Sequence, residues 1–252
     1  MAESGSQLQE LTTRVHESSK RFGLKINGEK TKTMTIGKEK EKINITLEGE
    51  ELEQVAEFVY LGGVITEDAE STRDIRKRIG LASAMFGKLR KLWRSGNIST
   101  RTKTKLYETL VIPVLTYGAE SWCMKKEDER RLLVAEMGWL RGLLNRSRRE
   151  KIRNEVTREE LGQKETVVER IKKRRLTWYG HVIRMENGRM PAKALHGEVE
   201  GTRSRGRQKK RWIDNVLEDI EDRGWDLRRA IELARDRPKW RSFVRASSSA
   251  NT

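Results

Sequence analysis

The sequence holds one cysteine, Cys123, with three prolines and three histidines in 252 residues. One thiol closes no internal disulfide, which fits a reducing compartment. His16, His181 and His196 give no zinc-knuckle spacing with it. Long apolar runs are also missing: no segment approaches the roughly 20 residues that cross a bilayer. The opening MAESGSQLQE lacks the basic and apolar regions of a signal peptide, so an intracellular chain of nucleus or cytoplasm, not secreted, is expected. No P-loop, HExxH helix or triad-like pattern occurs. Asp214, Glu218 and Asp219 share a helix at spacings that could hold a metal, but acidic residues opposite an apolar stripe read as a solvated face. Neither a metal site nor a cofactor is expected. Apolar residues make up 35% of the chain and charged ones 37%. Globular averages are roughly 45–50% and 25%, so small cores, long charged helices and some disorder are expected.

What the sequence has in excess is positive charge: 54 Lys and Arg against 38 Asp and Glu, a net +16 and a pI near 10.0. That surplus attracts polyanions. Nucleic acid is the commonest intracellular one; an anionic membrane surface is its competitor. The charge is uneven. Residues 1–70 carry 9 basic and 14 acidic side chains, leaving 45 basic and 24 acidic beyond them, with all 7 tryptophans. A boundary near residue 70 follows.

Before that boundary the patterns mix. Leu8, Leu11 and Val15 fall at helical spacing over residues 6–22, with Gly23 as a C-cap. Thr31–Ile36 and Ile43–Leu47 alternate like strands, and Phe58–Thr66, with Gly62-Gly63 inside it, reads as strand–turn–strand. From Ser71 the period becomes 3.6. Ile75, Ile79, Ala82, Phe86, Leu89 and Trp93 make one apolar stripe on a long helix ended by Gly96. Further helices are expected at Thr100–Pro113, Glu127–Leu144, about 152–162, 165–179, from Trp212 to Ile220, and around Trp225–Arg235 and Lys239–Arg245. The fold class is therefore mainly α with a small α+β N-terminal part. Regions are expected at 1–70, 71–146 (ending at the basic cluster Arg146–Lys151) and 147–246, with a disordered tail at 247–252.

Three features suit phosphate contact. Beside the apolar stripe runs a second one, Arg76, Gly80, Ser83, Gly87, Arg90 and Arg94. Small residues let a backbone approach a sugar–phosphate chain, and arginines neutralise phosphates; a solvated face whose glycines permit helix packing is the alternative. Gly197–Arg211 alternates glycine and arginine (Arg203, Arg205, Arg207) before Lys209, Lys210 and Arg211. It could fold onto nucleic acid, direct nuclear import or be an ordinary linker. Lys172, Lys173, Arg174 and Arg175 leave the same choices open. Trp178 and Tyr179 could stack on bases but fit a core better.

In order along the chain, FGLKINGEKTKTM (Phe22–Met34), EFVYLGGVIT (Glu57–Thr66), YGAESW (Tyr117–Trp122), RRLTWYGHVIRM (Arg174–Met185), RGRQKKRWIDNVLEDI (Arg205–Ile220) and DRPKW (Asp236–Trp240) resemble the C-terminal portion of the reverse transcriptases of non-LTR, LINE-type retrotransposons. The resemblance implies a palm remnant with a primer-grip-like hairpin, then a helical thumb and a helical C-terminal extension. It implies that Phe58, Tyr60, Leu61, Gly62 and Gly63 position a primer end. Lys30 would hold the place of a lysine that protonates leaving pyrophosphate. The family's Mg²⁺-binding Asp-Asp turn has no counterpart, since no Asp-Asp pair occurs in the sequence. A 5′-truncated copy is expected: inactive alone, binding RNA, DNA or their hybrid with little sequence preference. Part of a larger active polyprotein, or a domesticated helical scaffold, are the alternatives.

Overall fold

The computed structural model describes residues 2–36, 42–197 and 209–246. The chain is mainly helical, with short antiparallel strand pairs confined to its N-terminal part. It divides into two compact units, Met1–Asp74 and Ile75–Thr252.

In the first unit, α1 (Gly5–Arg21) starts at Ser4, whose hydroxyl accepts from Gln7 N. It stops at Gly23, which takes a left-handed φ of 69° while Leu24 N closes back on Ser19 O. That is the geometry glycine adopts without a Cβ penalty. The Gln9 carboxamide brackets Thr46, accepting its N–H at 2.8 Å and donating to its carbonyl at 3.0 Å. Strands β1 (Thr46–Leu47) and β2 (Glu50–Glu51) form one hairpin, β3 (Glu57–Tyr60) and β4 (Gly63–Thr66) another. Both have two-residue turns with both residues at positive φ, Glu48-Gly49 and Leu61-Gly62, the type I′ pattern that matches strand twist. The core is small: Ile45, Leu47 and Leu52, with Leu8, Ile26 and Ile43 against it. Thr31–Ile36 is not a strand. It makes one bridge, Thr33 to Gln54: Thr33 bonds the backbone of Glu53 and Val55, while Thr31 N turns back to Asn27 O and Gly28 O.

In the second unit the long helix is two. α2 (Thr72–Lys88) and α3 (Arg90–Arg94) break at Leu89. The Phe86 carbonyl accepts from Leu89 N and, at 2.7 Å, from Trp93 Nε1, so the indole occupies an acceptor the unbroken helix would use for Arg90 N. α4 (Thr100–Leu106) runs through a wide turn at Tyr107–Val111 into α5 (Ile112–Leu115). Ile112 N bonds five residues back to Tyr107 O. The widened turn makes room for Pro113, whose ring would clash with a carbonyl four residues earlier. There follow α6 (Lys126–Leu143), α7 (Asn154–Glu160), α8 (Val167–Ile183), α9 (Met190–His196), α10 (Trp212–Glu221), α11 (Leu227–Arg235) and α12 (Arg237–Arg245). α9 had no periodic signal; Pro191 in its first turn starts it.

Two cores fill this unit. One runs from Ile75 through Trp93, Tyr107, Leu132 and Leu140 to Ile171; the other joins Leu176, Tyr179, Val216, Ile220, Trp240 and Phe243. α8 belongs to both. Between its two apolar contributions sits Arg175, fully enclosed, donating to Asp219 at 2.8 Å and to the Trp122 carbonyl at 3.3 Å. Burial pushes the Asp219 carboxyl up to about 6, against the pull of Arg175 and Lys172. Nearby, the Asn215 carboxamide accepts from Met124 N and donates to Met124 O. α12 meets α8 at Gly180, where a Cβ would lie 2.1 Å from Trp240 Nε1. That indole donates to Leu176 O at 2.9 Å.

Arg175→Met strands a buried carboxylate and should cost about 3–5 kcal/mol. Arg175→Met with Asp219→Leu should restore most of it. Urea titrations of the single and double variants test this: a double variant as unstable as the single counts against the pair.

Candidate nucleic-acid interface

α2 and α3 bury the stripe of Ile75, Ile79, Ala82, Phe86 and Trp93. Phe86 stacks on Trp93 at 5.1 Å and on Trp139 of α6 at 6.4 Å. Arg76, Gly80, Ser83 and Gly87 each follow a stripe residue by one position, about 100° round the helix. They are consequently exposed, as are Arg90 and Arg94. A Cβ added at Gly80 or Gly87 would meet nothing within 4 Å. Neither glycine meets a packing partner among the described residues, so the stripe is an open face, which fits phosphate contact and a solvated surface alike. Both stay in a helix at a cost of roughly 0.5–1 kcal/mol relative to alanine.

The sequence reading missed the extent of this face. From Ile75 to Tyr107 there are ten Lys and Arg and no Asp or Glu. Lys88, Lys91, Arg101 and Lys105 are exposed within the same span. A scan for acid-free spans would have found them. Arg90 and Arg94 have no ion pair among the described residues, whereas Arg76 contributes to holding the Glu127 carboxyl below its usual range, behind Arg130, which hydrogen-bonds it. Exposed guanidinium groups without carboxylate partners are free to neutralise phosphates.

The Lys172–Arg175 run is different, and this corrects the sequence reading. Lys172 pairs with Asp222 at 2.5 Å, Lys173 with Glu165 at 2.7 Å, and Arg174 donates to Thr116 O at 2.6 Å. Arg175 is the buried partner of Asp219. These cations fasten helices together; Arg175 cannot reach a ligand at all. Lys210 is likewise paired, with Glu218 at 2.6 Å, and Arg211 with Asp214 at 2.8 Å in the cap of α10. Lys209 is exposed, and Arg203, Arg205 and Arg207 lie outside the described residues. Tyr179 is buried and Trp178 half-buried. Cys123 donates to Lys210 O, and burial pushes its thiol up.

In the first unit, Phe58, Val59, Tyr60 and Leu61 are all exposed on the β3–β4 hairpin, at 37%, 55%, 59% and 74%. Cross-strand pairing puts Phe58 opposite Ile65 and Tyr60 opposite Gly63. Phe58, Tyr60 and Ile65 thus share one face. Asp74 accepts from Val64 N at 2.9 Å, and Arg73 pairs with Glu57, fixing the hairpin base. Leu61 holds a φ of 48°, a strained value for a side chain branched beyond Cβ, at the exposed tip. Lys30 is exposed in the turn after Asn27, which accepts its N–H. Among the described residues, no three His, Cys, Asp or Glu side chains gather as metal ligands, and no helix is long and apolar enough to cross a membrane.

Over 96% of its length the chain is 27% identical to a Caenorhabditis elegans protein described as transposon-derived, covering 88% of that protein. No family model matches the sequence, and no solved structure matches the chain.

Two outcomes follow. Gly80→Ala and Gly87→Ala should each raise stability by about 0.5–1 kcal/mol in thermal melts, because the methyl meets open space; they should weaken nucleic-acid binding if that face is approached closely. A loss of stability would contradict the open surroundings. Leu61→Asn should stabilise the hairpin by up to about 1 kcal/mol, since asparagine tolerates this φ. Hydrogen exchange at Tyr60 and Gly63 that does not slow would count against it.

Proposed function

We propose that this chain derives from a transposable element, corresponds to the C-terminal portion of a non-LTR retrotransposon reverse transcriptase, and binds RNA, DNA or their hybrid through phosphates with little sequence preference. The observation that carries the reading is the exposed basic stripe of α2 and α3, in a span from Ile75 to Tyr107 that holds no Asp or Glu. The similarity to a transposon-derived nematode protein supports the element's part in it. Arginines at Arg76, Arg90 and Arg94 neutralise phosphates, while Gly80, Ser83 and Gly87 let the strand approach the helix backbone. Stacking on Phe58 and Tyr60 of the hairpin would add a contact indifferent to base identity. With no Asp-Asp pair in the sequence, the chain alone performs no nucleotidyl transfer under this reading. The Mg²⁺ chemistry belongs to the full-length enzyme.

A second reading, that the chain works as part of a larger active polymerase, is favoured by one observation. The first unit leaves Leu11, Val15, Phe22 and Leu24 exposed, as well as the hairpin's Phe58, Val59, Tyr60 and Leu61. Large uncovered apolar surface marks an interaction site.

Binding to duplex should weaken as salt rises, with a slope of log affinity against log salt near −0.9 per phosphate contact. Arg76→Glu with Arg90→Glu should make that slope shallower by about two. Arg153→Glu with Lys164→Glu, exposed and off this face, should leave it nearly unchanged. Gel-shift titrations across salt decide: a flat wild-type series, or equal losses in the two variants, defeats the proposal. Mg²⁺-dependent primer extension by the chain alone should give no product.

A further inference from the structure

α12 carries a feature that the α2–α3 face does not explain. It packs antiparallel on α8: Lys173 donates to Arg245 O at 3.2 Å, Trp240 Nε1 to Leu176 O, and Arg184, at the far end of α8, feels the charge of Arg237 at the start of α12. With Trp240, Phe243 and Val244 turned inward, Arg237, Arg241 and Arg245 all face solvent. They stand four residues apart, about 6 Å per step. None of the three has an ion pair among the described residues. The carboxylate at this end, Asp236, is taken by Lys239 and by the cap of α12. Arg184 donates to Ala234 O, which fixes its guanidinium beside Arg237. Burial first and Arg237 second hold that guanidinium below its usual range. Four arginines thus line one seam, and among the described residues none of Arg237, Arg241 and Arg245 is in an ion pair; the nearby carboxylates Asp236 and Glu165 are held by Lys239 and Lys173.

We infer that the seam of α8 and α12, lined by Arg184, Arg237, Arg241 and Arg245, is a second phosphate-contacting surface for a nucleic-acid strand, separate from the α2–α3 face. The physical reason is a row of like charges without ion pairs of their own among the described residues. Arginines held in a row by a helix repel one another, and a polyanion laid along the seam relieves that repulsion while releasing its own counterions. Successive phosphates of a duplex strand rise about 3.4 Å along the axis but also wind around it, so their separation is on the order of the 6 Å step, and the row suits neighbouring phosphates of one strand. Two basic faces in one chain raise the effective concentration of each for a strand long enough to touch both.

This inference rests on the nucleic-acid reading above, and the experiment separates the two. Salt slopes are measured on a long random-sequence duplex for four forms of the chain. These are wild type, Arg76→Glu/Arg90→Glu, the triple variant Arg237→Gln/Arg241→Gln/Arg245→Gln, and the triple variant with lysine at the same three positions. The glutamine variant should bind with a slope shallower by about 2–3, and the lysine variant should keep the wild-type slope. Both should give wild-type circular dichroism, since the three side chains are exposed. An unchanged slope in the glutamine variant, with a shallower one in the α2–α3 variant, overturns this inference alone. A wild-type chain that does not bind duplex overturns both readings. Vesicles of phosphatidylcholine and phosphatidylserine supply the other anionic surface: a glutamine variant that loses vesicle binding while its duplex slope stands overturns the assignment to nucleic acid.

Discussion

The enclosed guanidinium of Arg175 is the point on which the second unit depends. It ties α8 to α10 through Asp219 and to the loop before α6 through the Trp122 carbonyl. It sits where one hydrophobic core ends and the other begins. A charge so deep would be ruinous alone, and it is tolerated because each hydrogen bond it makes points at an acceptor that is itself fixed. Asn215 repeats the arrangement a helical turn earlier, clasping both backbone groups of Met124. These polar contacts give the two cores one register. Lys172 and Arg174, either side, extend the same fastening outward.

The basic residues therefore divide by how their charge is used. Arg158 closes on the buried Glu136, and Arg170 on Glu108 and Gln163. Those cations belong to the fold. Arg90, Arg94, Arg237 and Arg241 have no such partner among the described residues, and they lie on helices whose other face is packed. A net charge of +16 says nothing about this division. Two basic tetrads, one clamped and one open, can stand in the same chain.

That division explains what was legible in the sequence. Periodicity located α1, α6, α8 and α10 because their apolar residues repeat at about 3.6, and in α6, α8 and α10 that stripe makes up much of the buried face. It located the β3–β4 hairpin because Gly62 supplies a positive φ between two β-branched and aromatic runs. It failed where a side chain competes for a backbone group. Nothing in the spacing of Phe86, Leu89 and Trp93 signals that an indole will take a carbonyl and split the helix. Thr31–Ile36 alternates, yet its partner offers backbone groups to Thr33 only. The Arg76–Arg94 stripe is exposed, as its offset from the apolar stripe implies, while Lys88, Lys91, Arg101 and Lys105, also exposed, fall outside its spacing and on successive elements. The Lys172–Arg175 run misled because a basic run looks the same whether its carboxylates wait on α10 or nowhere.

The close approach of α12 to Gly180 carries a consequence for descent. Any single-base change at the first or second position of a glycine codon replaces glycine with a residue that bears a Cβ, or ends the chain. At Gly180 every such replacement drives an atom into the Trp240 ring. A copy of this gene released from selection would be expected to lose that junction among its first casualties, whereas at Gly80 many of the same changes would pass unnoticed by the fold. The two glycines thus keep different clocks: one dates the loss of structure, the other the loss of whatever the open face is for.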